Sequence, residues 1–234
     1  ALATALNVQK IDKMISNKIM QLAKGRLFVA VLYLFLATAF LSMWMSNTAT
    51  AAMMIPLSMT ILSQLDQKEE HNTYVFVLLG IAYSATIGGM GTLVGSPPNA
   101  IAASQLHLDF ADWLMYGTPV MLILFPLIIG WLYLVFKPKL GLRFAAEFEK
   151  IHMTKQRVLT LVIFITVAIL WIFGGYLNPI ISQSLGLPKP IGSFDSMVAL
   201  SAAIVICVTG IASWKQVQEN TEWGVLFLFG GGLT

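Results

Sequence analysis

The triplet Ser46-Asn47-Thr48 interrupts an apolar run that extends from Leu27 to Leu65. Further along, Gly88-Gly89-Met90-Gly91-Thr92-Leu93-Val94-Gly95-Ser96-Pro97-Pro98-Asn99 interrupts a second one. A helix that stops leaves carbonyl oxygens unpaired, and one that starts leaves amides unpaired. Carbonyls joined by hydroxyl and amide oxygens suit a small hard cation such as sodium. Free amides at a helix N-terminus suit an anion. A break that offers both ends is therefore a place for a cation and an anion to bind together.

The spacing assigns roles to particular residues. The incoming helix is expected to end near Met45 and the outgoing one to begin at Ala49, with Asn47 and Thr48 as N-capping side chains. Ser42 lies one turn before Ser46 and adds its oxygen to the cation shell. The second break contributes backbone carbonyls that its glycines expose, and Asn99 is expected to cap a short helix over Ala100–Leu106. Each motif alone has a plainer explanation. Ser-Asn-Thr in an apolar helix is more often a patch of interhelical hydrogen bonds, and Gly-Ser-Pro-Pro-Asn more often a turn. Met43, Met45, Met53 and Met54 read as packing around the first break.

The surrounding elements must cross a membrane. The chain of 234 residues is 57% hydrophobic and 11% charged, whereas soluble domains carry about 25% charged residues. Leu27–Met45, Ala49–Leu65, Trp113–Phe136, Val158–Leu177 and Ser196–Ser213 approach the ~20 residues that span ~30 Å of hydrocarbon. Thirteen of the fourteen basic residues fall into residues 1–26, the 137–157 connector and the loops holding Lys68 and Lys215. The positive-inside rule makes that face cytoplasmic. Residues 27–65 must then leave and return on one side, either as two spans joined at Ser46-Asn47-Thr48 or as a re-entrant hairpin, which the tight and lightly polar link favours, while 73–107 crosses once as a discontinuous helix. Tyr74–Ile87 supplies ~21 Å of that crossing, and no regular helix is expected between Gly88 and Pro98. Residues 7–25 place Val8, Ile11, Ile15, Ile19 and Leu22 on one face, so 1–26 reads as a basic amphipathic interfacial segment. Residues 113–213 hold further spans and the connector. Residues 223–234 begin another helix, and the chain reads as an internal piece of a longer protein. The fold class is all-α, polytopic and membrane-embedded.

Broken helices at membrane depth imply carriage of a small solute rather than catalysis. The eleven acidic residues, the basic residues and His71, His107 and His152 lie in loops or at segment ends, so no proton relay, nucleophile–base pair or metal cluster sits at mid-depth. Dispersed basic residues do not suggest nucleic acid. The single Cys207 permits no intrachain disulfide and reads as a small packing residue. With no Lys or Arg at depth, bound cations and helix dipoles must neutralise an anion. Moving a dianion inward against 100 mV costs about 4.6 kcal/mol; two sodium ions cancel this, and a third makes the voltage drive uptake. A competing reading from a different class is an anion channel.

Phe40-Leu41-Ser42-Met43-Trp44-Met45-Ser46-Asn47-Thr48-Ala49-Thr50-Ala51-Ala52 followed by Ile87-Gly88-Gly89-Met90-Gly91-Thr92-Leu93-Val94-Gly95-Ser96-Pro97-Pro98-Asn99 resembles the divalent anion:sodium symporter family, and within it the bacterial INDY-type dicarboxylate transporters. Ser213-Trp214-Lys215 and Trp223–Thr234 extend the resemblance over the whole chain. It implies an inverted-repeat elevator transporter of the inner membrane, a homodimer, that carries C4-dicarboxylates with sodium as the coupling ion and has no other cofactor; within the family the alternative is a sodium-independent di- or tricarboxylate antiporter. Ser42, Ser46, Asn47 and Gly95 would coordinate sodium. Ser46, Asn47 and Thr48, with Pro97 and Pro98 of the second break, would meet the substrate. A second Ser-Asn-Thr motif, after Thr234, would complete the site.

Overall fold

The structure, a computed structural model, describes residues 1–143, 152–221, 223, 224 and 227. The middle of the 137–157 connector and most of 223–234 lie outside the described residues. Among these residues the regular structure is helical: α1 Leu2–Val8, α2 Ile11–Leu22, α3 Leu27–Ser42, α4 Asn47–Leu62, α5 His71–Met90, α6 Pro97–Leu106, α7 Phe110–Phe136, α8 Lys155–Ile172, α9 Gly174–Ser184, α10 Phe194–Val208 and α11 Trp214–Glu219. Three helices, α5, α7 and α8, are long and apolar enough to cross a membrane. No acidic, basic or histidine side chain of α3–α10 lies beyond the first turn of its helix, as a hydrocarbon environment demands. The class expected from composition, an all-α polytopic membrane protein, is what folds.

The chain divides into two compact units. One comprises Asp12–Asn99 and Gly117–Ile151, and its centre is the trio α3, α4 and α5. Helices α3 and α4 have 16 residues each, ~24 Å of helix apiece, joined by the tight turn at Met43–Met45. Their outer ends lie together. Tyr74, near the start of α5, places its hydroxyl between the carbonyl of Leu62, the last residue of α4, and that of Leu65 just beyond, and donates to one of them at a time. At the start of α3, Leu27 N donates to Leu142 O at 3.1 Å. Beside them Lys139 Nζ reaches Glu70 Oε1 at 2.9 Å, which holds the ammonium above its ordinary range, and Lys139 N donates to Thr73 Oγ1 at 3.0 Å. Both feet of the hairpin therefore share one end with the connector.

Small residues let α3 and α5 approach closely. On α5, Gly80 and Gly88 lie eight residues apart with buried Ser84 midway, a spacing that stacks them on one face. A Cβ added to Gly80 would fall 2.1 Å from Phe35 Cζ, and one on Gly88 would fall 2.2 Å from Ala39 O and 2.6 Å from Ala39 Cα. Phe35 in turn meets Phe76 edge-on, ring centroids 5.5 Å apart. Leu27, Leu34, Met54, Ile61, Leu62 and Ile81 are fully buried around them.

The other unit comprises Ala1–Ile11, Ala100–Tyr116 and His152–Thr234. Ala5 of α1 packs with Ile206, Ile211, Ala212 and Val217, and Cys207 is partly buried against them. Asp195, in the first turn of α10, accepts Phe110 N at 3.0 Å, and Phe110 stacks on Trp171 with centroids 5.0 Å apart.

Several boundaries differ from those read in the sequence. Residues 7–25 form two helices because Lys10 takes a left-handed conformation, φ 53°; Ile11 and Ile15 pack inward while Leu22 is 58% exposed. Val158–Leu177 is likewise divided, α8 giving way to α9 at Phe173, where Gly174-Gly175 weakens helix continuation. Helix α5 runs through Gly88 and Gly89 to Met90, so the expected loss of helix at Gly88 does not occur: packing against α3 outweighs the cost of ~1 kcal/mol per glycine.

Gly88→Ala should destabilise the protein by about 1–3 kcal/mol or more, since the new methyl meets backbone that cannot yield. Gly130→Ala on α7, where nothing lies within 4 Å, should be neutral or slightly stabilising. Thermal unfolding in detergent compares them, and equal melting temperatures would contradict the close approach.

Candidate functional site

Helix α3 ends at Ser42 and α4 begins at Asn47. The N-cap is Ser46, in extended conformation, its Oγ accepting Ala49 N at 3.4 Å. The expected caps Asn47 and Thr48 are instead the first two helical residues. This frees the Asn47 side chain to turn toward α3 and α5. Ser42 Oγ lies 2.8 Å from Asn47 Oδ1 and 2.7 Å from Ala85 O, and Ser42 is fully buried. A hydroxyl carries one proton, so it donates to one of these oxygens at a time. Three oxygens thus crowd around a single hydrogen. Asn47 also rests on bare backbone: a Cβ on Gly89 would fall 2.2 Å from its Oδ1.

The second break spans Gly91–Ser96, and α6 opens with Pro97 and Pro98. Proline is well placed there, where its missing N–H is no loss. It also removes backbone donors that would otherwise approach the preceding carbonyls, and among the described residues no hydrogen bond reaches Gly95 O. Gly95 packs against both α3 and α5: an added Cβ would fall 2.9 Å from Ser42 O and 2.6 Å from Gly89 O.

Side-chain donors tie the two breaks together. Thr92, fully buried, donates its hydroxyl to Met43 O in the hairpin turn. Thr118 Oγ1 donates to Gly91 O at 3.0 Å. Asn99, 7% exposed, donates from Nδ2 to Gly89 O at 2.7 Å and to Thr92 O at 2.8 Å. The expectation that Asn99 caps Ala100–Leu106 is corrected: it is the third residue of α6, and its side chain reaches back to the end of α5.

Of the residues singled out from sequence, Ser42, Asn47 and Gly95 come together, with Ser46 in the adjoining turn. Thr48 is exposed on α4; Pro97 is half-buried and Pro98 exposed at the start of α6. The Ala85 carbonyl escaped sequence reasoning because a peptide oxygen inside a helix has no signature. Thr92 and Thr118 escaped it because their partners lie on other helices. The cluster holds neutral oxygens and helix ends, with no formal charge. Chemically it suits a dehydrated cation, held by dipoles rather than by a carboxylate.

Thr92→Val, which keeps the shape and deletes the donor, should leave Met43 O unpaired and cost about 1–3 kcal/mol. Thermal melting of the purified variant measures this; an unchanged melt would show that the tie between the breaks carries no energy.

Apolar helices long enough to span and, among the described residues, helix interiors free of charge mark a multi-pass membrane protein with two interrupted helices. The profile of the citrate transporter family, CitMHS, matches residues 1–234, and the chain belongs to that family. The resemblance to sodium-coupled divalent anion transporters accords with this. An uncharacterized transporter of Haemophilus influenzae is 70% identical over 234 residues, all of this chain and 51% of the relative. An uncharacterized transporter of Methanocaldococcus jannaschii is 36% identical over 230 residues, 98% of this chain and 50% of the relative. The sodium-dependent dicarboxylate transporter SdcS of Staphylococcus aureus is 31% identical over 237 residues, 84% of this chain and 42% of the relative. The chain spans about half the length of the curated relatives it matches.

Proposed function

We propose that the protein takes part in sodium-coupled import of C4-dicarboxylates such as succinate, fumarate and malate across a bacterial inner membrane. The observation that carries this reading is the meeting of Ser42 Oγ, Asn47 Oδ1 and Ala85 O around one proton, beside Gly95, whose carbonyl meets no donor among the described residues. Sodium coordinated by Ser42, Ser46, Asn47 and Gly95 would supply the positive charge that this neutral cluster lacks. The bound cation, with the first-turn amides of α4 at Asn47 and Thr48, would then hold a carboxylate, and Pro97 and Pro98 at the start of α6 would contact the substrate without donating to it. The anion cannot bind well without the cation, because no side-chain charge is present to balance it. Coupling follows from that electrostatic need.

The re-entrant form of α3–α4 belongs to this proposal. Helices of ~24 Å fall short of a ~30 Å hydrocarbon layer. Their feet share one end, and their tip meets α5 at Ala85 and Gly89, after which the chain continues through the break into α6. The tip then lies within the membrane. An elevator movement in a homodimer, with the site completed by sequence beyond this chain, would expose the tip to each side in turn.

Uptake of labelled succinate by the full-length transporter in liposomes, with sodium replaced by potassium, tests the reading. Uptake should require sodium and carry net positive charge inward, with more than two sodium ions per dianion. Asn47→Ala should abolish sodium-dependent uptake in a protein that still folds. Undiminished uptake in potassium, or unchanged sodium dependence in the variant, would overturn the assignment. Unlabelled citrate separates the substrate classes: competition by citrate stronger than by succinate would favour a tricarboxylate.

A further inference from the structure

We infer that Asn99 is a positioning residue that decides which peptide oxygens a cation meets at the second break. The inference rests on the sodium reading above and concerns the selection of oxygens within that site. Where α5 stops at Met90, its last carbonyls lose their helical partners. Left bare, the oxygen of Gly89 would be as attractive to a cation as any other, and that of Thr92, just past the helix end, would be engaged only by Gly95 N at 3.3 Å. Asn99 removes both from competition, since each proton of its amide goes to one of them, at 2.7 Å and 2.8 Å. Thr118 engages Gly91 O and Thr92 engages Met43 O in the same manner. The Gly95 carbonyl, with two prolines that cannot donate at Pro97 and Pro98, accepts no hydrogen bond among the described residues.

The position of Gly95 depends on this arrangement. It sits against Gly89 O, the oxygen that Asn99 holds, and against Ser42 O at the end of α3. A side chain that fixes Gly89 O therefore fixes the floor on which Gly95 rests, within reach of the Ser42–Asn47 pair. Asn99 touches neither Ser42 nor Asn47 by hydrogen bond and acts through Gly89 and Thr92. Its amide serves both carbonyls because it has two protons on one nitrogen, which a hydroxyl does not.

Half-saturating sodium and succinate KM, measured in liposomes on full-length wild type, Asn99→Ala and Asn99→Ser, test this. Asn99→Ala should raise half-saturating sodium by about tenfold, the scale of one lost hydrogen bond at the site. Asn99→Ser, with one proton, should give a smaller rise and covers the case in which the alanine variant fails to fold. Succinate KM at saturating sodium should stay at the wild-type value in both. A role confined to stability would lower the amount of active protein and leave half-saturating sodium unmoved; that result overturns the inference while the sodium reading stands. Wild-type uptake indifferent to sodium overturns the sodium reading and this inference with it.

Discussion

A peptide oxygen stripped of its helical partner has no water to turn to inside a bilayer. Under the proposed re-entrant arrangement both helix breaks of the candidate site meet that constraint, and the architecture around residues 42–47 and 88–99 is one answer to it. Four of the carbonyls at the breaks are taken by a side chain: Met43 O by Thr92, Gly91 O by Thr118, Gly89 O and Thr92 O by Asn99. These donors are what allow the break to exist, and they bind the hairpin turn, the end of α5 and the start of α6 into one piece. What they leave unpaired is then significant, because an oxygen without a donor in such a place awaits a ligand.

Close packing supplies the rest. Gly80, Gly88, Gly89 and Gly95 each occupy a position where a methyl group would strike a neighbour within 3 Å. The first two bring α3 against α5, and the last two bring backbone against the oxygens of Ser42, Asn47 and Gly89. Recognition of a cation by peptide oxygens needs approach at this scale, since a side chain in between would hold the carbonyls apart. The same glycines that appear as helix breakers in the sequence act chiefly here as spacers.

That distinction marks how far the sequence could be read. Membrane character, the helical class, the two interruptions and the grouping of Ser42, Asn47 and Gly95 follow from hydropathy, spacing and resemblance, because they depend on local composition and on motif. The end of α5 does not, because Gly88 and Gly89 stay helical through contacts with Ala39 and Asn47 that no local rule contains. The cap at the first break, Ser46 rather than Asn47 or Thr48, escapes the sequence for a related reason: Ser, Asn and Thr all cap well, and only tertiary contact decides that Asn47 is needed elsewhere. Asn99 was read as a cap for its own helix, and its partners turned out to lie seven and ten residues back, across the break. Lys10 in a left-handed turn and the division at Phe173 were invisible to a search for apolar periodicity.

The central claim is that a cation at the hairpin tip creates the anion site beside it. Isothermal titration of purified full-length transporter with succinate, repeated over a series of sodium concentrations at constant ionic strength, addresses it without the complications of flux. The account predicts that succinate affinity rises steeply with sodium and is lost when potassium replaces it. Succinate binding of equal strength in either salt would contradict it.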